Sequence, residues 1–339
     1  MSHLPSDTER KCDTKAATEL VMVEQRRGRD DAALWVREGG RRIEGQDSNL
    51  RLVELRNGLI RHAAVRAVAA DADDEAVERT LGALHEAPYL EALASAGNGE
   101  ETILAEFAPP GLEPDIPVNA GLVAAAREGI RTSITAAQRL LDGARYTYAV
   151  CRPPGHHAGP AFLGGYCYLN NAAAAVRTLC EGGMKPVGIV DLDLHYPNGT
   201  AALIERMAQD ATLHSLHASP VTNVSERTVL PQSERERVVA FAASPDQETY
   251  LREVRRSVQS LAETAAALVV SLGYDTVRGD PHGNWSFSPQ IFTEVGRALA
   301  AAELPVCVIQ EGGYALPALA ACSHAFAIGL LGPPGGEER

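Results

Sequence analysis

Val187-Gly-Ile-Val-Asp-Leu-Asp-Leu-His195-Tyr-Pro-Asn-Gly-Thr200 is the stretch from which the rest of the chain is read. The apolar run at 187–190 is short and β-branched, the mark of a strand buried on both faces, as in parallel sheets. Asp191, Asp193 and His195 then follow at alternate positions. Side chains two apart on an extended segment share a face, so two carboxylates and an imidazole leave the strand's end together. Asn198-Gly199 turns the chain away. Carboxylate and imidazole suit zinc, with iron or cobalt as alternatives in the same geometry. Alone, Asp-x-Asp-x-His also fits a decorated strand end, so its meaning depends on the other strands.

Those strands are short and apolar: Tyr146–Cys151, Thr212–Leu216, Ala267–Leu272 and Val306–Ile309. Helical stretches lie between most of them, at Asn171–Glu181, Ala201–Ala208, Gln247–Ala265 and Pro289–Ala302. Strand-helix alternation predicts an α/β protein with a mainly parallel central sheet covered on both faces. Upstream, Asp74–Leu84, Ala87–Ser95 and Ala120–Leu141 read as helices, with a Pro-rich loop at Ala108–Pro117. Residues 1–60 are rich in Arg, Glu and Asp and read as short helices packed on a main domain at 61–331; 332–339 reads as a disordered tail.

Ligands in open α/β sheets sit beyond the carboxyl ends of the strands. Four strand ends here carry unusual polar residues: Cys151-Arg-Pro-Pro-Gly-His156-His157, Asp191 to His195, Ser271-Leu-Gly-Tyr-Asp275, and Gln310-Glu-Gly-Gly-Tyr314. Asp193, His195 and Asp275 give a metal three protein ligands and leave a position open, the arrangement of catalytic zinc. Paired histidines can serve as base and acid, and a tyrosine can donate to a developing oxyanion. Asp191 remains to orient a histidine or hold a cation. The set is chemically complete for amide hydrolysis.

Arg-Pro-Pro-Gly-His-His-Ala-Gly, Gly-Gly-Tyr-Cys-Tyr-Leu-Asn-Asn-Ala-Ala, Asp-Leu-Asp-Leu-His, Ser-Leu-Gly-Tyr-Asp and Gln-Glu-Gly-Gly-Tyr resemble, in that order, the motifs of the histone deacetylase superfamily. They are most similar to its bacterial acetylpolyamine amidohydrolase branch, over about His85 to Leu331 and most specifically over 145–200 and 266–316. The resemblance implies an arginase/deacetylase-like three-layer α/β/α sandwich. It implies zinc on Asp193, His195 and Asp275, His157 as general base polarised by Asn198, and His156 paired with Asp191 as electrostatic or general-acid partner. Tyr314 would polarise the scissile carbonyl, Tyr166 line the acyl-amine channel, and Gly165 accept the substrate N–H. Asp115, in the Pro-rich loop with Glu113, would contact the substrate. A structural potassium ion is implied at Asp191, Asp193, His195, Ser215 and Leu216.

Two departures carry expectations. Tyr196-Pro197 replaces the family's His-Gly, and proline fixes φ and removes a donor, which predicts a shifted loop at Asn198. Residues 218–237 hold no aromatic residue and no glycine, which predicts a channel wall more polar or wider than the family's. The remaining histidines His3, His62, His282 and His324 read as surface or packing residues, His214 as facing away from the site, and Asn170 and Asn171 as helix caps.

The 339 residues are 45% hydrophobic and offer no apolar run near the roughly 20 residues of a membrane span. The start lacks a signal-peptide core, and the six cysteines are scattered without pairing motifs, which points to a reducing cytoplasm. The net charge of -13 argues against nucleic acid and is compatible with a cationic substrate. The expected function is zinc-dependent removal of an acetyl or other short acyl group from a small primary amine, by a protein able to homodimerise. Acetyl-lysine in protein is the second substrate class. A silent metal-binding relative has no need of His156, His157 and Tyr314 together. A ureohydrolase wants two bridged metals and a denser Asp/His set.

Overall fold

The computed structural model describes residues 18–26, 35–38, 41–219 and 235–333. In chain order it runs β1 (Leu20–Glu24), an antiparallel hairpin of β2 (Trp35–Glu38) and β3 (Arg41–Glu44), α1 (Asn49–Leu59), β4 (Val65–Ala69), α2 (Asp74–Leu84), α3 (Ala87–Ala96) and α4 (Ala120–Leu141). The second half continues β5 (Tyr146–Val150), α5 (Asn171–Glu181), β6 (Val187–Asp191), α6 (Asn198–Ile204), β7 (Ala211–Ala218), β8 (Glu236–Phe241), α7 (Gln247–Ala262), β9 (Ala267–Leu272), α8 (Ile291–Ala300), β10 (Val306–Gln310) and α9 (Leu316–Leu331). One sheet takes eight of these strands in the order β4-β1-β5-β10-β9-β6-β7-β8, and every neighbouring pair is parallel.

Alternation along the strands builds the layers. In β9, Leu268 and Val270 face a core with α1, α7, α8 and α9, while Ala267 and Val269 face the core under α4, α5 and α6. Both faces are thereby covered, which is what a run such as Ala-Leu-Val-Val requires. Helix starts are fixed by side-chain caps that satisfy otherwise unpaired N–H groups: Asp73 on Ala76 N, Asn119 on Leu122 N, Asn170 on Ala173 N and Asp246 on Thr249 N.

The three-layer α/β/α sandwich matches the sequence reading, and α2, α4, α5, β6 and β9 fall on their expected bounds. The start of the chain differs. Within 1–60 the structure has β1, the hairpin and one helix, and β1 lies between β4 and β5 inside the main sheet. An apolar run as short as Leu-Val-Met-Val cannot be told from helix by periodicity; its burial between two strands decides it. β4 and β8 are the sheet's edges and are half-exposed, with Arg66 and Arg237 breaking their apolar pattern, a usual guard against edge pairing. Of the expected tail only 332 and 333 are described, and of the expected channel wall 220–234 lie outside the described residues, as do His3 and Cys12.

Helix α9 follows Tyr314 directly and is pinned by close backbone contact with α8. A Cβ on Gly329 would lie 2.1 Å from the Thr293 carbonyl oxygen, a backbone atom that cannot step aside. Gly329→Ala is therefore expected to destabilise the fold by about 1–3 kcal/mol, read as a lower urea midpoint at unchanged m-value.

Candidate active site

Four neighbouring central strands, β5, β10, β9 and β6, end in the residues that the sequence singled out. Register explains the convergence. Asp191 lies opposite Ser271 on β9 and Ser215 on β7, so the chain leaving β6 passes beside the turn that leaves β9.

Asp193, His195 and Asp275 offer ligand atoms all within 4.8 Å of one another. Backbone donors hold both carboxylates: Gly312 N–H to Asp193 Oδ2 at 2.8 Å, His195 N–H to Asp193 Oδ1 at 2.9 Å and Leu194 N–H to Asp275 Oδ1 at 3.0 Å. One oxygen of each turns toward His195, whose Nδ1 lies 3.1 Å from Asp193 Oδ1 and 3.0 Å from Asp275 Oδ2. Asp275 Oδ2 is buried and takes no backbone donor, and His195 Nδ1 is its close polar neighbour. Burial and the adjoining Asp193 charge push Asp275 up to about 7. Burial opposes a charged His195, yet Asp193 and Asp275 raise it to about 10. Two buried carboxylates and an imidazole aimed at one point fit a divalent cation.

The histidine pair is asymmetric. His157 Nδ1 lies 2.7 Å from Asn198 Oδ1, so it carries the proton and Nε2 is left as acceptor. Burial, together with His156 and His195, holds His157 well below its ordinary value. His156 Nδ1 lies 3.3 Å from Asp191 Oδ2, and Nε2 lies 3.6 Å from Asp193 Oδ1. Burial pulls His156 down, but Asp193 and Asp191 outweigh it and raise it to about 10. Asn198 meets His157 although Pro197 precedes it. Pro197, at φ -81, is the residue before α6, so the N–H it lacks is not one of the helix's own bonds.

A cavity of about 40 Å³ opens on this set and is lined by His156, His157, Gly165, Tyr166, Asp193, His195, His282 and Tyr314. Gly165 sits at φ +55 with a would-be Cβ 2.5 Å from His157 Cδ2, so glycine alone lets the chain pass this close to the imidazole. Asp115 does not line the cavity. It stands behind it, where Oδ2 accepts the Gly165 N–H at 3.0 Å and so holds the Gly165-Tyr166 turn in place. Asn198 and Asp191 likewise act on the histidines from behind.

Several residues at the site had no legible signal. Arg51 of α1 is fully buried, donates to the Gly313 and Glu311 carbonyls, pairs with Asp47, and stacks its guanidinium 4.6 Å from the Tyr314 ring centre. Arg152 reaches the same Asp47. Glu311 Oε2 accepts from Gly155 N–H at 2.6 Å and His156 N–H at 3.1 Å, fixing the turn that presents both histidines. His282, read as a surface or packing residue, is in the cavity wall, with Nε2 2.9 Å from the Tyr166 hydroxyl. A histidine in an exposed-looking turn carries no pattern; its partner is 116 positions away.

Fold and site together define a class: an arginase/deacetylase-like sandwich with a three-ligand centre, two unequal histidines and a tyrosine at the strand ends. The histone deacetylase domain matches residues 47–330, and the chain belongs to that family. It is similar to acetylpolyamine amidohydrolase 1 of Pseudomonas aeruginosa, 32% identical over 225 residues, 64% of this chain and 65% of that protein. The match thus spans a little under two thirds of that relative's length. Histone deacetylase 8 of Arabidopsis thaliana is 30% identical over 288 residues, covering 76% of this chain and 71% of its own. The crystal structure of an acetylpolyamine aminohydrolase from Burkholderia pseudomallei shares the fold, with a TM-score of 0.79 at 24% identity over 92% of this chain and 98% of that one.

His85 supports the site from below. Its Nδ1 donates to Gly159 O at 2.8 Å and its Nε2 accepts from Asn170 N–H at 3.3 Å, so both nitrogens are used only by the neutral ring. Burial lowers it from 6.5 to about 4. In that window the unfolded chain takes up a proton that the folded chain refuses, so stability rises with pH there. The His85 contribution is complete above about 6.5 and is lost as pH falls toward about 4. His85→Gln, which keeps a donor and an acceptor but does not titrate, is expected to show a shallower fall of melting temperature across this window than the wild type.

Proposed function

We propose that this protein is a zinc-dependent amidohydrolase that removes an acetyl group from a small primary amine. The observation that carries the reading is the single small cavity on which Asp193, His195, His156, His157 and Tyr314 all open. At about 40 Å³ it holds on the order of three water-sized probes, room for an acetyl group but little more.

Zinc held by Asp193, His195 and Asp275 supplies, when bound, Lewis acidity toward the carbonyl and a lowered water pKa. His157, its Nδ1 proton fixed on Asn198, presents a basic Nε2 to take the proton of the attacking water. His156, held between Asp191 and Asp193, carries positive charge beside the reaction centre and is placed to return a proton to the leaving amine. The Tyr314 phenol is buried, and burial pushes its ionisation far upward, so it remains an O–H donor for the developing oxyanion. Arg51 and the backbone it grips keep that phenol in place. The Gly165 carbonyl would accept the amide N–H, and Asp115 braces its turn. Ser215 Oγ is buried without a partner beside Asp191, which supports the potassium reading for Asp191, Asp193, His195, Ser215 and Leu216.

The acetylpolyamine amidohydrolases among the relatives favour a small acetylated amine, and the net charge of -13 favours a cationic one. The match to Arabidopsis histone deacetylase 8 keeps acetyl-lysine in protein as the second reading. A two-metal ureohydrolase is disfavoured. The other metal-competent group, His156, Cys167 and Glu311, shares no ligand with the first, and burial holds the Cys167 thiol well above its ordinary value. The five described cysteines are free, which supports a reducing, cytoplasmic setting, and no described helix is long and apolar enough to cross a membrane.

Zinc-reconstituted protein is expected to release acetate from N-acetyl diamines and polyamines and not from acetyl-lysine peptides; the reverse pattern would move it to the protein substrate class. Tyr314→Phe should lower kcat by about a hundredfold or more, the scale of losing one oxyanion donor, at unchanged zinc content. Normal turnover in that variant would remove Tyr314 from the mechanism.

A further inference from the structure

We propose that Gln310, oriented by the Tyr148 hydroxyl, is a positioning residue: its amide fastens the turn carrying Asp275 to the turn carrying Tyr314, and so sets where the Tyr314 phenol stands. The inference rests on the amidohydrolase reading and adds to it a buried network that lies outside the cavity.

Register brings the network together. Val308 of β10 lies opposite Tyr148 of β5, and Gln310, two positions further on, leaves the same face. Gln310 in turn lies opposite Leu272, the last residue of β9. Tyr148, Gln310 and Tyr274 are fully buried against an apolar core layer, so their polar atoms must find partners there. Gln310 Nε2 lies 3.0 Å from the Gly312 carbonyl oxygen and 3.2 Å from those of Leu272 and Glu311. Carbonyl oxygens only accept, so the amide nitrogen faces them and the amide oxygen faces away. Gln310 Oε1 accepts the Tyr148 O–H at 2.6 Å. That bond uses the one Tyr148 proton, so the Tyr274 hydroxyl, 3.2 Å away, donates to the Tyr148 oxygen. Burial pushes the ionisation of both phenols upward, which keeps both protons in place.

The three carbonyls belong to the two turns that build the reaction centre. Leu272 leads into Gly273-Tyr274-Asp275, and Glu311-Gly312 lead into Gly313-Tyr314. Backbone bonds already join the turns, from Glu311 N–H to Leu272 O and from Tyr274 N–H to Gly312 O, both at 2.9 Å. Gly313, at φ +117, packs so close that a Cβ there would lie 2.7 Å from Tyr274 Cβ. Arg51 grips the Glu311 and Gly313 carbonyls from α1. Of these two side-chain grips on the Tyr314 turn, the Gln310 amide is the one that also holds the end of β9.

The Tyr148 hydroxyl decides which way the amide points. Without it Oε1 is left buried and unpartnered, and an amide rotated by half a turn would set oxygen against three carbonyl oxygens. Either response loosens the two turns against each other, and a reacting group displaced by about 1 Å can lose on the order of a hundredfold in rate. The rings themselves are held by packing, Tyr148 edge-on to Phe326 and Tyr274 edge-on to Phe292, so a phenylalanine at 148 keeps the core filled.

The test is a double-variant cycle on zinc-reconstituted protein, read as calorimetric affinity for acetohydroxamate, whose carbonyl oxygen is an acceptor for the Tyr314 phenol. Binding does not depend on turnover. Tyr148→Phe should weaken it by about threefold to tenfold, the scale of one hydrogen bond, at unchanged zinc content. In a Tyr314→Phe background the same change should cost less than about twofold, because the group being positioned is gone. Gln310→Met should weaken binding at least as much as Tyr148→Phe, with the same dependence on Tyr314; should it fail to fold, Tyr148→Phe decides. A merely structural role would weaken binding equally in both backgrounds. That result overturns the proposal, as does a Tyr148→Phe protein that binds like the wild type. Acetate release from N-acetyl diamines alongside equal losses in both backgrounds would remove the positioning role and leave the amidohydrolase reading. No acetate release alongside the expected cycle would refute that reading and leave the positioning role. A wild type that does not bind acetohydroxamate would overturn both.

Discussion

Two carboxylates buried side by side are the constraint from which the rest of the site follows. Asp193 and Asp275 extend from adjoining strands and turn one oxygen each toward His195. Buried ionised carboxylates without compensation cost several kcal/mol each, and here the strain shows as an Asp275 raised to about 7. A divalent cation would resolve the conflict more completely than the His195 proton does, because it would engage all three side chains at once. The remaining carboxylate oxygens are held by backbone N–H groups of Gly312 and Leu194, so the turns themselves set the ligand geometry. The Gly312-Gly313 turn that supplies one donor also leads directly into Tyr314.

The same economy of space fixes the proton assignments. His156 and His157 stand with ring centres 4.1 Å apart, too close for both to carry charge comfortably. Asp191 and Asp193 stabilise the proton on His156, and the neutral oxygen of Asn198 leaves His157 uncharged. Two identical side chains thereby acquire opposite aptitudes through their neighbours, the general pattern for an acid and a base that share a site. Glu311 and Arg51 hold the turns on which these groups ride, one from the histidine side and one from the tyrosine side.

Much of this was legible because the central strands are short, apolar and followed at once by polar residues. Val187–Asp191 and Ala267–Leu272 declare themselves as buried strands, and Asp193, His195 and Asp275 fall where a parallel sheet places its ligands. Asn198 was legible through its motif, and it meets His157 although Tyr196-Pro197 precedes it. Arg51 was not legible. It lies in a charged segment, and its partners are carbonyl groups some 260 positions away, which leave no mark on the side-chain pattern. Asp115 was assigned to the substrate through the family resemblance; in the fold its Oδ2 accepts the Gly165 N–H and braces the turn beside the cavity. His282, read as a surface or packing residue, is brought to the cavity by a contact with Tyr166 that no local pattern announces.

The most direct test of the central claim is the zinc content of the protein after equilibrium dialysis, compared between wild type and Asp275→Asn. One zinc per chain in the wild type, and its loss in a variant that still folds, is the result this account predicts. Two zinc ions per chain, or an equal zinc content in the Asp275→Asn protein, would contradict it.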